Sequence, residues 1–211
     1  MPITPADRTR LNNNIAAGLV PSWGEPVAGQ TSLAGAVCLA LRLPWEQQPA
    51  IIADPDYVFV TRLHDAFLGT PAERAALFGA LAFAWLETAG ADRSTWVGLV
   101  VRGAVERVTP IAFRAGVARD PLRAAELEAA ATLCEGAVTE TSARAAKLAA
   151  LGIEDLESTA GAAAKAFWRG TNLYGGAKDA AKAACSPIDR NAAIRALVTV
   201  AIDAYTAEGR S

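Results

Sequence analysis

The stretch Thr70-Pro71-Ala72-Glu73-Arg74-Ala75-Ala76-Leu77-Phe78-Gly79-Ala80-Leu81-Ala82-Phe83-Ala84-Trp85-Leu86 decides the fold. Thr70 and Glu73 have the spacing of a capping box, and Pro71 stands at the first helical position, where its missing N–H costs nothing. The residues that follow are strong helix formers and apolar nearly all round. That pattern predicts a helix buried in the middle of the molecule, with Leu77, Leu81, Phe83 and Trp85 in the core.

Working outward, the same signals repeat. Upstream, Asp54-Pro55 reads as an N-cap followed by proline, and Phe59, Leu63 and Phe67 fall at i, i+4 and i+8 on one helix face. A short strand over Tyr57-Val58-Phe59-Val60 is the alternative there, because those residues favour β structure. Downstream, one helix is predicted over 92–108, stopped by Thr109-Pro110. Another starts at Asp120-Pro121 and runs to about Cys134, and an alanine-rich one spans 139–151 with Gly152 turning its end. Leu156, Ala160, Ala163, Ala164 and Phe167 form a further stripe. Gly170 to Gly176 reads as a loop, followed by a short helix over 177–185. Ser186 to Asp189 caps a last helix with the face Ile194, Leu197, Val198, Ala201, Ile202 and Tyr205.

The first 54 residues are loop-rich. A short polar helix is expected over 5–17, and Thr31 or Ser32 can cap another running to about Leu43. The proline-containing stretches 19–30 and 44–55 read as irregular. The expected fold is all-α: a single domain over 1–211, built as a helical bundle or an irregular stack of antiparallel helix pairs, with about eight to ten helices. Ten of the 14 aromatic residues precede residue 117, whereas the rest of the chain is rich in alanine, of which the whole chain has 49. This suggests an aromatic-core lobe over 55–116 and a closely packed alanine lobe over 117–211.

Composition bounds the function. Lys and Arg number 20 against 22 Asp and Glu, the net charge is −2 and the pI is about 5.5. A dedicated nucleic-acid binder carries a basic stripe and a high pI, so nucleic acid is disfavoured as a partner. Cys38, Cys134 and Cys185 are odd in number and far apart, which favours a reducing compartment. The N-terminus has no apolar signal core, and no apolar run reaches the ~20 residues of a membrane span. A soluble cytoplasmic protein with no membrane partner is the expectation.

No motif assigns chemistry. His64-Asp65 resembles the doublet of the HD-type metal phosphohydrolases, but their metal site takes several histidines and this chain has one. His64 reads instead as a helix-face residue beside Val60 and Leu68. Asp54, Asp56 and Asp65 have no cation-loop spacing, and capping accounts for Asp54; neither a metal nor a cofactor is expected. There is no G-x-S-x-G elbow, and the cysteines sit in apolar or alanine-rich segments as small buried groups. Gly170 to Lys178 departs from a phosphate loop: two residues separate Gly175 from Lys178, no Ser or Thr follows the lysine, and a helix precedes it.

Two groups of residues remain as candidates for binding. Trp23 and Trp45 lie in the irregular N-terminal segments, either plugging the core or exposed for recognition, with Arg42, Glu25 and Glu46 nearby. Trp168, Arg169, Asn172 and Tyr174 flank the glycine loop and are of types enriched at binding hot spots. Arg62, His64 and Asp65 add charge on the helix after Pro55. The leading expectation is a non-catalytic interaction protein acting through a helical or loop surface, with another protein or a copy of itself as partner. The alternative is a small-molecule binder or enzyme with a pocket between helices, lined by first-half aromatics with Arg62, His64, Asp65 or Glu46.

Overall fold

The computed structural model describes residues 3–22, 29–43, 54–88, 91–136, 138–169, 172–186 and 189–208. The helices are α1 (Pro5–Ala16), α2 (Leu33–Ala40), α3 (Asp54–Ala66), α4 (Pro71–Glu87), α5 (Ser94–Gly103), α6 (Thr109–Val117), α7 (Ala124–Gly136), α8 (Glu140–Ala149), α9 (Glu154–Trp168), α10 (Leu173–Cys185) and α11 (Arg190–Glu208). Among the described residues there is no strand, only an isolated bridge between Leu19 and Thr31. The chain is an all-α helical assembly. No helix among the described residues is long and apolar enough to cross a membrane.

The caps fall where their side chains require. Thr70 and Glu73 complete both halves of their box, as do Thr4 with Asp7 before α1 and Thr139 with Ser142 before α8. Ser32 accepts from the Gly35 N–H at 3.0 Å and starts α2, which ends at Ala40 rather than near Leu43. Asp189 accepts from the Ala192 N–H at 3.2 Å at the start of α11. Gly152 has φ +86°, the left-handed value that ends a helix without a Cβ clash. Tyr57 to Val60 is helical, not extended. Phe59, Val60, Leu63 and Phe67 all bury on one face of α3, and that packing overrides local β preference.

Three expectations are corrected. The first is the stop at Thr109-Pro110. The chain passes through it as one rod, α5 to α6, by way of a π-helical turn over Ala104–Val108. A proline inside a helix clashes with the carbonyl four residues back and donates no hydrogen bond. The wider π turn relieves that conflict, and Thr109 Oγ1 donates to the Ala104 carbonyl at 3.0 Å.

The second correction concerns α4. It is one-faced, not buried all round: Phe78, Leu81, Ala82, Trp85 and Leu86 are sealed, while Leu77 and Phe83 are half-buried on its flanks. Ala72, Ala76 and Ala80 are exposed on the outer face, so the apolar residues there are small ones that lose little in water. Ile202 of α11 is likewise half-buried, beside sealed Ile194, Leu197 and Ala201.

The third correction is the central helix, which is α10. It packs on α3, α5, α9 and α11 together. Its buried residues are Gly175, Gly176, Ala177, Asp179, Ala180, Ala181, Ala183 and Ala184. Small side chains on several faces let several neighbours approach at once. A Cβ on Gly176 would lie 3.2 Å from Val97 Cγ1, so α5 comes too close there for any other residue to fit without a shift. The aromatic helices surround this alanine rod. Trp96 of α5 stacks on Tyr205 of α11 with centroids 4.9 Å apart, and Phe59 of α3 meets Trp96 edge-on at 5.0 Å.

Candidate functional site

The two ends of α10 carry the two groups of candidate residues. Tyr174 and Cys185 are eleven positions apart on one helix, which is about 16 Å at 1.5 Å per residue.

At the first end, the expected glycine loop is largely helix. Asn172 accepts from the Gly175 N–H at 2.8 Å and starts α10 at Leu173, so Gly175 and Gly176 lie inside the helix. Asn172 therefore serves as a cap. Trp168, the last residue of α9, and Tyr174, in the first turn of α10, are each 48% exposed. A lysine ammonium sits near each ring: Lys147 Nζ 5.6 Å from the Trp168 centroid and Lys178 Nζ 5.9 Å from that of Tyr174. Arg169 reaches Asp179 at 3.1 Å and ties the end of α9 to α10.

All four lysines of the chain, Lys147, Lys165, Lys178 and Lys182, fall between residues 147 and 182. Lys165 is one turn before Trp168. Tyr174, Lys178 and Lys182 are spaced four apart and form the outward stripe of a helix otherwise packed in the core. The acidic residues Glu154, Asp155 and Glu157 occupy the opposite end of α9, in its first turn. Leu148 and Leu151, one and four residues after Lys147, are both more than half exposed.

At the second end, a groove of about 640 Å³ runs between α3 and the junction of α10 with α11. Arg62 and Asp65 line it, with Arg74, Cys185 and Arg190. Asp65 accepts from the Ser22 backbone N–H at 2.9 Å, from the Ser22 hydroxyl, and from His64 Nδ1 at 3.2 Å. Burial alone would raise the Asp65 carboxyl, but the hydrogen bonds from His64 and Ser22 outweigh it and hold it below its ordinary value. Arg74 is buried and donates to the His64 and Phe67 carbonyls, closing the end of α3.

His64 is not part of the groove surface. Its ring is 1% exposed and meets Phe78 edge-on at 5.1 Å. Among the described residues its Nε2 has no hydrogen-bond partner. Burial lowers its pKa below 6.5, against the opposing pull of Asp65. The unfolded chain therefore binds the proton more tightly than the native one. The stability tied to His64 is complete above about pH 6.5 and is lost as pH falls toward the lowered native value. Melting temperature is expected to drop between pH 7 and pH 5, and His64→Asn should flatten that slope. This is the chain's one histidine, so an unchanged slope in the variant would refute the assignment.

The remaining candidates do not converge. Asp56 is sealed against Arg93, with Arg93 Nε to Asp56 Oδ2 at 2.6 Å, far from the use considered for it beside Asp65. The Asp54 side chain, Trp23, Trp45, Glu25 and Glu46 lie outside the described residues. The thiols are poor nucleophiles: burial pushes Cys38 and Cys134 up to about 11 and Cys185 up to about 12. No family model, curated protein or solved structure matches this chain.

Proposed function

We propose that this chain is a non-catalytic cytoplasmic binding protein that holds an acidic, leucine- or phenylalanine-bearing segment of a partner protein on the α8–α10 corner. The observation that carries this is the confinement of all four lysines to 147–182, with two of them over half-exposed aromatic rings. Trp168 and Tyr174 offer large, stiff contact area at low entropic cost, and the lysines supply charge complementarity to an acidic segment. Leu148 and Leu151 add apolar surface beside them.

A protein segment suits this surface better than nucleic acid. Arg169 is already paired with Asp179, so few cations remain to displace counterions, and a few phosphate contacts give weak binding at physiological salt. A binding role rather than turnover is supported by the chemistry. The histidine is enclosed, the thiols stay protonated, and the ionised Asp65 is engaged by Ser22 and His64.

The test uses a labelled glutamate/leucine peptide, its lysine/leucine counterpart and a single-stranded oligonucleotide, compared by fluorescence anisotropy. The acidic peptide should bind best. Trp168→Ala and Lys178→Glu should each weaken it at least tenfold. Trp168 is 48% exposed and Lys178 is half-buried on the outward stripe of α10, so the melting temperature should move by no more than about 2–4 °C, the shift for ~1 kcal/mol in a domain this size. Preferential capture of the oligonucleotide, or acidic-peptide binding indifferent to both substitutions, would retire the proposal.

A further inference from the structure

The groove at the far end of α10 holds more positive charge than the fold uses. Asn191 fixes one wall: its Oδ1 accepts from the Leu68 N–H at 2.9 Å, and its Nδ2 donates to the Leu68 carbonyl at 2.6 Å. That clamp docks the start of α11 on the end of α3. Arg190, beside the clamp, has a buried Nε with no hydrogen-bond partner among the described residues. Arg62 is exposed on the α3 wall, where its carbonyl faces Cys185 Sγ at 3.6 Å. Among the described residues neither Arg62 nor Arg190 is in an ion pair. Only Arg74 has a clear structural task. Among the described residues, the one carboxylate lining the groove, Asp65, is turned to Ser22 and His64.

An unpartnered guanidinium nitrogen taken out of water is costly unless something occupies it. Guanidinium groups match planar carboxylates and phosphate oxygens with paired N–H donors. The rest of the lining, Val58, Thr61, Ala66 and Leu68, is apolar apart from one hydroxyl. A volume of about 640 Å³ suits an organic molecule rather than a bare ion. We infer that this groove binds a small organic anion, with its oxyanion between Arg62 and Arg190 and its uncharged portion on Val58, Ala66 and Leu68. The site is independent of the α8–α10 surface, and neither assignment rests on the other.

Carboxylate and phosphate share this chemistry, so the experiment carries both. Calorimetric titrations with succinate, glycerol phosphate and the neutral succinamide are compared at low salt. At least one anion is expected to bind and succinamide is not. Arg62→Gln and Arg190→Gln should each weaken the anion at least tenfold, while Arg102→Gln, on the exposed face of α5, leaves it within twofold. Arg62 is exposed, so its variant keeps the test decisive even where Arg190→Gln fails to fold. Binding of neither anion, equal binding of succinamide, or an equal loss in Arg102→Gln would overturn the inference.

Discussion

Asp56→Ala is expected to destabilise the fold by about 3–5 kcal/mol, the range for breaking a buried ion pair from one side. Asp56 and Arg93 are both essentially sealed from water, with side chains 0% and 2% exposed. The substitution leaves the buried guanidinium in place without the Asp56 carboxylate 2.6 Å from its Nε, and burying a charge is costly where a partner is removed. Arg93 would keep its donations to the Thr88 carbonyl at 2.8 Å and hydroxyl at 3.2 Å and its position 5.1 Å over the Tyr205 ring. Because ~1 kcal/mol moves a domain this size by roughly 2–4 °C, the melting temperature should fall on the order of 10 °C. The Trp96–Tyr205 stack lies directly under Arg93, so the near-ultraviolet circular dichroism should change with it.

The two-sided replacement separates the charge from the packing. Asp56→Leu combined with Arg93→Met removes both ions, and such exchanges are often neutral or stabilising by ~1–4 kcal/mol. The double variant is therefore expected to recover most of what Asp56→Ala loses. A loss below ~1 kcal/mol for Asp56→Ala would mean that the pair does not hold α3 to the start of α5, contrary to the same accounting of buried charge.

This pair also shows where the sequence stops informing. Asp56 is 37 residues from Arg93, and nothing local in either neighbourhood announces the other. From the sequence, Asp56 was weighed with Asp54 and Asp65 as a cation ligand, because proximity along the chain was the available cue. Helix starts were legible for the opposite reason. A cap is a hydrogen bond across three residues, so Thr70 with Glu73 carries its whole mechanism within the quoted stretch. Passage through Pro110 was not legible, since the π turn that accommodates it is a compromise between local strain and the packing of both flanking segments.

The candidate site divides along the same line. Residue type singled out Trp168, Arg169 and Tyr174, and Trp168 and Tyr174 are exposed side by side with cations. The sequence points to a loop there because glycine favours turns, whereas the chain is helical from Leu173. In α10 a glycine answers to the neighbouring helix, where a Cβ on Gly176 would stand 3.2 Å from Val97 Cγ1 and 3.4 Å from Val101 Cγ2. Arg62 and Asp65 meet in one groove, but His64 between them faces the core. Helix geometry turns each successive side chain by about 100°, and that turn carries His64 from the groove wall into the core beside Phe78. Arg190, which completes the groove, and Asn191, which clamps its wall at Leu68, come from α11 and have no marker in sequence.

The alanine-rich composition of α4 yields the other large expected effect. Leu81→Ala should cost about 2–5 kcal/mol, the range for truncating a leucine in a packed core. Leu81 is 0% exposed in a cluster with Phe78, Ala82 and Trp85, and its loss leaves a cavity that rigid neighbours cannot refill. Leu77 stands one turn away in the same helix and differs in burial, being half-exposed on the flank. Leu77→Ala removes the same atoms, gains the same helix propensity and opens its gap to solvent. Its cost should be less than half that of Leu81→Ala. Urea titration of the two variants measures this directly, since equal slopes permit the midpoints to be compared as free energies. Equal losses would restore the view of α4 as a helix buried on every side. A wide gap between them places α4 at the margin of the assembly and leaves the centre to α10, whose alanines no truncation series can probe.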